Sequence, residues 1–419
     1  MARSIRRALV ALALVSLPGC VADPAPSLPD AIGARGAALA GRIEVLVVDG
    51  PGGPPVDGAR VRALGIADGA LLVEGRSDAD GRAVLQAPEL RGAVTIEVEG
   101  AATTQLWMGV RTDELVLALP AEEPREVVAA EVRGIPAAWG AARIDVGTAT
   151  HVSLLRTGSL ARAATVPCAV GGVDGCAVEL VREEADATLA VATVAGPSDR
   201  VAGFVVGTLG AAGGTLSTPI EAAELALTLP ETAELTEIIG VPGIARQGAL
   251  VLLPQPPGDP SRLAVPRLDA LAVTDRYWVF VEGHPFRAGG DADPNARSVL
   301  FARGARDAAE LPRWPSWLGT PSASIGADGA ASFEAVSGAD VHVVDWIDGD
   351  GAIVASAWLL DPTLLSVEAL RPGRLDLVER AATVRVRALD TLAPGPDGFE
   401  VGELEARVER FAERTLDGP

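Results

Sequence analysis

The chain has 419 residues, a formal net charge of −21 and 48% hydrophobic side chains, apolar material for roughly two to four domains. Every one of its 35 basic residues is arginine, and the acidic excess repels nucleic-acid phosphates and anionic headgroups, which argues against both as direct ligands. With 22% charged residues, the composition is that of a folded chain rather than a disordered one.

Arg3, Arg6 and Arg7 precede the uncharged apolar run 8–17, the layout of a secretory signal over residues 1–19. The run is shorter than the about 20 residues a bilayer-spanning helix needs. Losing these three arginines with the signal takes the charge to −21 − 3 = −24. Leu17-Pro18-Gly19-Cys20 resembles the lipobox of bacterial lipoproteins. That resemblance implies a diacylated Cys20 thiol as the new N-terminus and a membrane as the first partner, through lipid alone. Val21 is not the aspartate that retains some lipoproteins at the inner membrane, so the resemblance points to the outer membrane. Residues 20–40, with Pro24, Pro26, Pro29, Gly33 and Gly36, read as a spacer.

Residues 41–120 carry short β-branched runs punctuated by Gly, Pro and Asp: Ile43, Val45 and Val47, then Pro55 to Val61, Ser77 to Ala83, Ala93 to Gly100 and Glu114 to Leu119. Such spacing predicts a small antiparallel sandwich. The stretch resembles the carboxypeptidase regulatory-like, or transthyretin-like, domain family, which implies a structural or interaction unit without catalytic residues. Asp80-Gly81 suits a tight hairpin turn. Asp78-Ala79-Asp80-Gly81 also looks like part of a calcium loop, but its closing glutamate is missing.

A second β-rich region, 121–230, has candidate strands at 127–132, 142–146, 151–156, 176–181, 187–194, 201–209 and 223–229. Cys168 and Cys176 are the cysteines left after Cys20, and an even pair in an exported chain predicts a disulfide, here across a hairpin base. Residues 201–220 hold no charge, but five glycines and Pro219 make them a buried hairpin rather than a membrane span. His151 heads an apolar stretch, the setting of a packed histidine.

The third region, 231–379, echoes the first: 327–335 followed by 338–344 repeats the order turn, strand, glycine, strand found at 79–87 and 92–98. Alternating acids at Asp291 and Asp293, and again at Asp345, Asp348 and Asp350, could supply calcium oxygens. Neither string completes a helix-loop-helix site, so solvated turns are the leading reading and no cofactor is required. Trp278, Trp346 and Trp358 lie in strand-like surroundings and predict core positions. Trp314 and Trp317 flank Pro315-Ser316 in a proline-containing loop, where flat rings beside carboxylates could stack on sugars. Of the histidines, His342 alternates within a strand, whereas His284 stands at a strand end.

Region 380–419 begins with a strand over 381–389 and a Pro/Gly breaker. Val401, Leu404, Val408 and Phe411 then recur at helical spacing, which predicts a short C-terminal amphipathic helix. No hydrolase elbow, phosphate loop or zinc-protease helix appears. The sequence therefore predicts an all-β chain of tandem small antiparallel sandwiches after a signal and tether, serving as a non-enzymatic envelope or surface module. Its partners would be the membrane and envelope glycans or other surface proteins. Two alternatives stay open: glycan binding through Trp314 and Trp317, and an enzyme whose pocket joins His284, Asp291 and Asp345.

Overall fold

The computed structural model describes residues 32–418 apart from 51–52, 120–125, 152–164, 169–175, 183–187, 232–233, 247–248, 256–257, 288, 306–313, 361–366, 371, 392–398 and 401–407. Cys20 and the expected signal at 1–19 lie outside the described residues. Strands come first as β1 (Gly33–Ala38), β2 (Ala40–Asp49), β3 (Arg60–Gly65), β4 (Leu71–Arg76), β5 (Arg82–Arg91), β6 (Val94–Glu99), β7 (Thr104–Val110) and β8 (Thr112–Leu119). Next are β9 (Glu126–Val132), β10 (Arg143–Thr148), β11 (Thr150–His151), β12 (Thr165–Cys168), β13 (Cys176–Arg182), β14 (Thr188–Ala195), β15 (Val201–Leu209) and β16 (Gly214–Ala226). Then follow β17 (Leu235–Arg246), β18 (Ala249–Leu252), β19 (Arg262–Pro266), β20 (Arg276–Pro285), β21 (Ala296–Ala305), β22 (Ala323–Ile325) and β23 (Ala331–Phe333). The last are β24 (Val341–Asp348), β25 (Ile353–Leu359), β26 (Val367–Leu370), β27 (Ala381–Thr391), β28 (Phe399–Glu400) and β29 (Val408–Asp417), with one α-helical turn at Leu375–Val378. The chain is all-β, as the spacing of its β-branched runs and turn residues predicts.

In the first module a five-stranded sheet, ordered β28-β1-β8-β2-β5, faces β3, β4, β6 and β7. Ile43, Val45 and Val47 meet Val61, Ile96 and Val98 between the layers, the period-2 burial that the sequence announces. The expected spacer therefore ends early, since β1 pairs with β8 from Gly33 onward. The Asp78–Gly81 turn forms, but it is not a hairpin. Asp78 Oδ1 accepts from the Asp80 and Arg82 amides at 3.0 and 2.9 Å. Gly81 adopts φ +75 where a Cβ would stand 2.5 Å from the Val47 carbonyl oxygen. β4 pairs with β3 while β5 pairs with β2, so the turn carries the chain from one sheet to the other. Residues 327–344 repeat this order only in part: the turn at 326–330 is a hairpin, since β22 pairs with β23, and the crossing between sheets comes after it, at Gly338. Gly329 and Gly338 take the left-handed φ of Gly81 and Gly92, and β23 and β24 belong to different sheets just as β5 and β6 do.

A thirteen-stranded sheet crosses all the expected boundaries near 120, 230 and 379. Its order is β11-β18-β17-β20-β21-β29-β27-β24-β25-β7-β6-β3-β4. The first module enters it through the parallel pairing of β7 with β25, in which Trp107 sits opposite Trp358. The two rings stack with centroids 5.4 Å apart at 13°, and both are buried. On the other face, β22, β23 and β26 cover Val344, Trp346, Val384 and Val386.

The second region supplies a further sheet, with the path β12-β10-β14-β15-β16-β9-β13 and with β19 of the third region paired to β16. Cys168 and Cys176 form the expected disulfide, with Cα atoms 6.0 Å apart, but not across a hairpin. β12 pairs with β10 and β13 with β9, so the bond joins strands at opposite ends of the path and staples a curled sheet into a barrel. Val132, Ile144, Val146, Leu180, Ala192 and Val205 fill its interior. Outward-facing Leu189, Val191, Phe204 and Val206 pack against Ile244 and Val251 of the large sheet. β15 is thus covered on both faces, which accounts for its lack of charge.

The C-terminal helix is not formed where the structure describes that segment. Residues 408–417 are β29, paired with β21 and β27. Val408 and Phe411 mimic helical spacing, but Arg410 between them is paired with Asp390 of β27.

Two outcomes are expected. Replacing both Cys168 and Cys176 by serine lowers unfolding free energy in urea by about 2.5 kcal/mol, the chain-entropy value for so short a loop. Trp107→Ala costs about 3–5 kcal/mol in the same measurement, because it opens a cavity at the strand junction.

Candidate functional site

β29 ties together most of the stretches singled out from sequence. Its Arg410 donates to the Ser316 carbonyl at 2.6 Å and to Ser316 Oγ at 3.0 Å, and it pairs with Asp390 on β27. Arg414 donates to the Pro321 carbonyl at 2.8 Å and to Asp293 Oδ2 at 3.1 Å. The Thr415 amide bonds the Asn295 carbonyl at 2.7 Å. The aromatic loop and the acidic hairpin between β20 and β21 are therefore held against one strand.

The opposite face of the same strands carries a row of alternating charge. Glu282 on β20 receives Arg297 at 2.6 Å, and Arg297 reaches Glu413 on β29 at 2.7 Å. Glu413 stands opposite Arg387 on β27. Arg387 and Arg385 both donate to Asp345 on β24, at 2.6 and 3.1 Å. Ser356 on β25 donates to the other Asp345 oxygen at 2.9 Å. Asp345 and Arg387 are each 1% exposed. Burial pulls the Arg387 guanidinium below its ordinary value, with Asp345 opposing. Burial also acts against Arg297, but Glu413 and Glu282 outweigh it and hold that group above its usual range.

The catalytic and metal candidates each have a definite place. His284 bonds the Asp293 and Ala296 carbonyls through Nδ1 at 3.1 and 2.9 Å and Glu282 through Nε2 at 3.0 Å. Asp345 lies four strand positions away in the sheet, about 19 Å at the usual strand spacing. His284, Asp291 and Asp345 do not form one pocket. Asp293 is engaged by Arg414 and Arg287. Burial opposes its charge, yet the Asn295 amide and these arginines keep its carboxyl below the ordinary range. Asp348 repeats the Asp78 turn, accepting from the Asp350 and Ala352 amides at 3.0 and 2.9 Å. Asp291 and Asp350 are exposed. Among the described residues, no group of three or more His, Cys, Asp or Glu is arranged to hold a metal ion.

Trp314 and Trp317 are half-buried against the cluster of Leu225, Leu263, Val265, Tyr277 and Val279, the geometry of a loop packed on the core. Glu413, Arg297, Arg385 and Arg387 were not among the expected site residues. Arg385 and Arg387 alternate with Val384 and Val386, the pattern of an ordinary solvent-facing side of a strand, so periodicity did not mark them. A cavity of about 30 Å³ adjoins the row, lined by Phe280, Glu282, Arg297 and Phe411 among others. An open cleft of about 320 Å³ lies on the five-stranded sheet, where Arg35 pairs with Glu114 and Arg82 with Glu44.

No protein-family model matches the chain, and no curated protein does. Among solved structures, the Bacillus anthracis TIE protein is 10% identical with a TM-score of 0.16, over 64% of this chain and 49% of that one. The N-terminal four Ig domains of Dscam1 isoform 7.44 are also 10% identical, with a TM-score of 0.14, over 91% and 99% of the two chains. Similarities this low assign neither family nor function.

Asp345→Ala leaves two buried guanidinium groups without their carboxylate. Urea unfolding is expected to show a loss of about 3–5 kcal/mol.

Proposed function

We propose that this chain is a non-enzymatic, lipid-anchored envelope protein that acts as a structural or interaction module outside the cytoplasm. The single observation that carries the reading is the bonding of its reactive groups. His284 is engaged at both ring nitrogens within the fold, His342 is fully buried, and Asp345 is held by two arginines and a serine. Groups committed in this way position strands and have little capacity to exchange protons with a substrate. The disulfide fits an oxidising compartment. The layout of Arg3 to Cys20 supports export, and acyl chains that each contribute about 0.8 kcal/mol per buried CH₂ would hold so large a soluble body without a spanning helix. The two-layer packing of residues 33–119 supports the transthyretin-like reading of the first module.

Cys20→Ala is expected to move the protein from the membrane fraction of expressing cells to the soluble fraction. Unchanged fractionation would overturn the anchor.

A further inference from the structure

His342 on β24 is 0% exposed. Its ring stacks on Phe333, with centroids 5.6 Å apart at 21°. Nε2 accepts a hydrogen bond from the Val336 amide at 3.1 Å. A ring nitrogen that accepts carries no proton, so the neutral imidazole has its hydrogen on Nδ1, which finds no hydrogen-bond partner. Imidazolium bears a hydrogen on both nitrogens. Protonation would set donor against donor at Val336 and place a charge in an apolar setting.

That one bond fastens the middle of a loop. Residues 334–340 connect β23 to β24, with the Glu334 amide on the Ser322 carbonyl at 3.1 Å and the Asp340 amide on the Leu389 carbonyl at 2.8 Å. Between these ends, Val336 and Ala339 cover Leu318, Ala388 and Ala412. We propose that His342 is an acid-operated latch: protonation releases the Val336 amide and lifts loop 334–340 from the apolar patch formed by Leu318, Ala388 and Ala412.

The charged groups around the ring do not counter this. Glu334 on the loop is exposed and Asp340 is half-buried at its far end. Asp390 on β27 is taken by Arg410 of β29, whose Nη2 lies 3.1 Å from where a Gly338 Cβ would stand. Arg414 on β29 is directed to Pro321 and Asp293. Among the described residues no carboxylate supports imidazolium, and burial pushes the ring down to about 4.

An opened loop returns the ring to water and to an ordinary value of about 6.5. Between these values the open form binds a proton that the closed form does not. Closure is therefore fully favoured above pH 6.5, weakens as pH falls, and levels off below 4. At pH 4.5 the open form should be roughly 70-fold more populated than at pH 7.5.

Amide hydrogen exchange of the mature protein, corrected for intrinsic rates, reads this at Val336. Protection is expected to fall by roughly 70-fold between pH 7.5 and 4.5. In His342→Gln, whose side-chain oxygen can keep the acceptor without titrating, protection should stay flat. Wild-type protection that does not change, or an equal loss in His342→Gln, overturns the latch. If the variant does not fold, the wild-type ring is titrated by carbon NMR. Titration near 4 together with loss of Val336 protection supports the proposal, and titration near 6.5 overturns it.

Discussion

The structure depends on one junction, the parallel ladder between β7 and β25 with Trp107 stacked on Trp358. A parallel pair cannot be closed by a tight turn, so its two strands must come from distant parts of the chain. Here residues 104–108 of the first module lie beside 355–359. Without that ladder the five-stranded sheet and its partners would be a free-standing sandwich. With it, the first module, the aromatic region and the C-terminal strand share a single sheet, and each helps to bury the others.

Inside that sheet the row from Glu282 to Asp345 fixes which strand positions meet. Apolar faces tolerate many pairings, because valine against valine is nearly indifferent to register. Buried charges are not indifferent. A slip of one residue along β27 would turn Arg385 and Arg387 to the opposite face and leave Asp345 unpaired, a cost of several kcal/mol. The row is costly to desolvate, and its contribution is better described as specificity than as net stability. It also sets β29 in place, and through Arg410 and Arg414 it fixes the loop bearing Trp314 and Trp317.

The disulfide imposes a comparable constraint on the second region by a different means. The edge strands β12 and β13 are not paired with each other, so no hydrogen-bond ladder closes the seam between them. A covalent bond between Cys168 and Cys176 brings those edges together, and the interior of small and β-branched side chains follows from that closure. Unpaired edges invite association with other chains, and the bond draws these two together within the fold.

By itself the sequence determined what depends on neighbours along the chain. Alternation marked the strands, most closely at 127–132, 176–181 and 201–209. Gly81, Gly329 and Asp348 marked turns, and the cysteine count predicted the bond. It did not reveal that the Asp78–Gly81 turn is a corner between sheets, because a turn reverses direction without naming the layer that receives the next strand. It read 408–411 as helical because the partners of Arg410, Glu413 and Arg414 lie 20 to 121 residues away. Only the tertiary structure decided that these charges face inward, that β7 meets β25, and that Trp314 and Trp317 rest on a core. Each of those outcomes is a long-range pairing, and local periodicity carries no information about it.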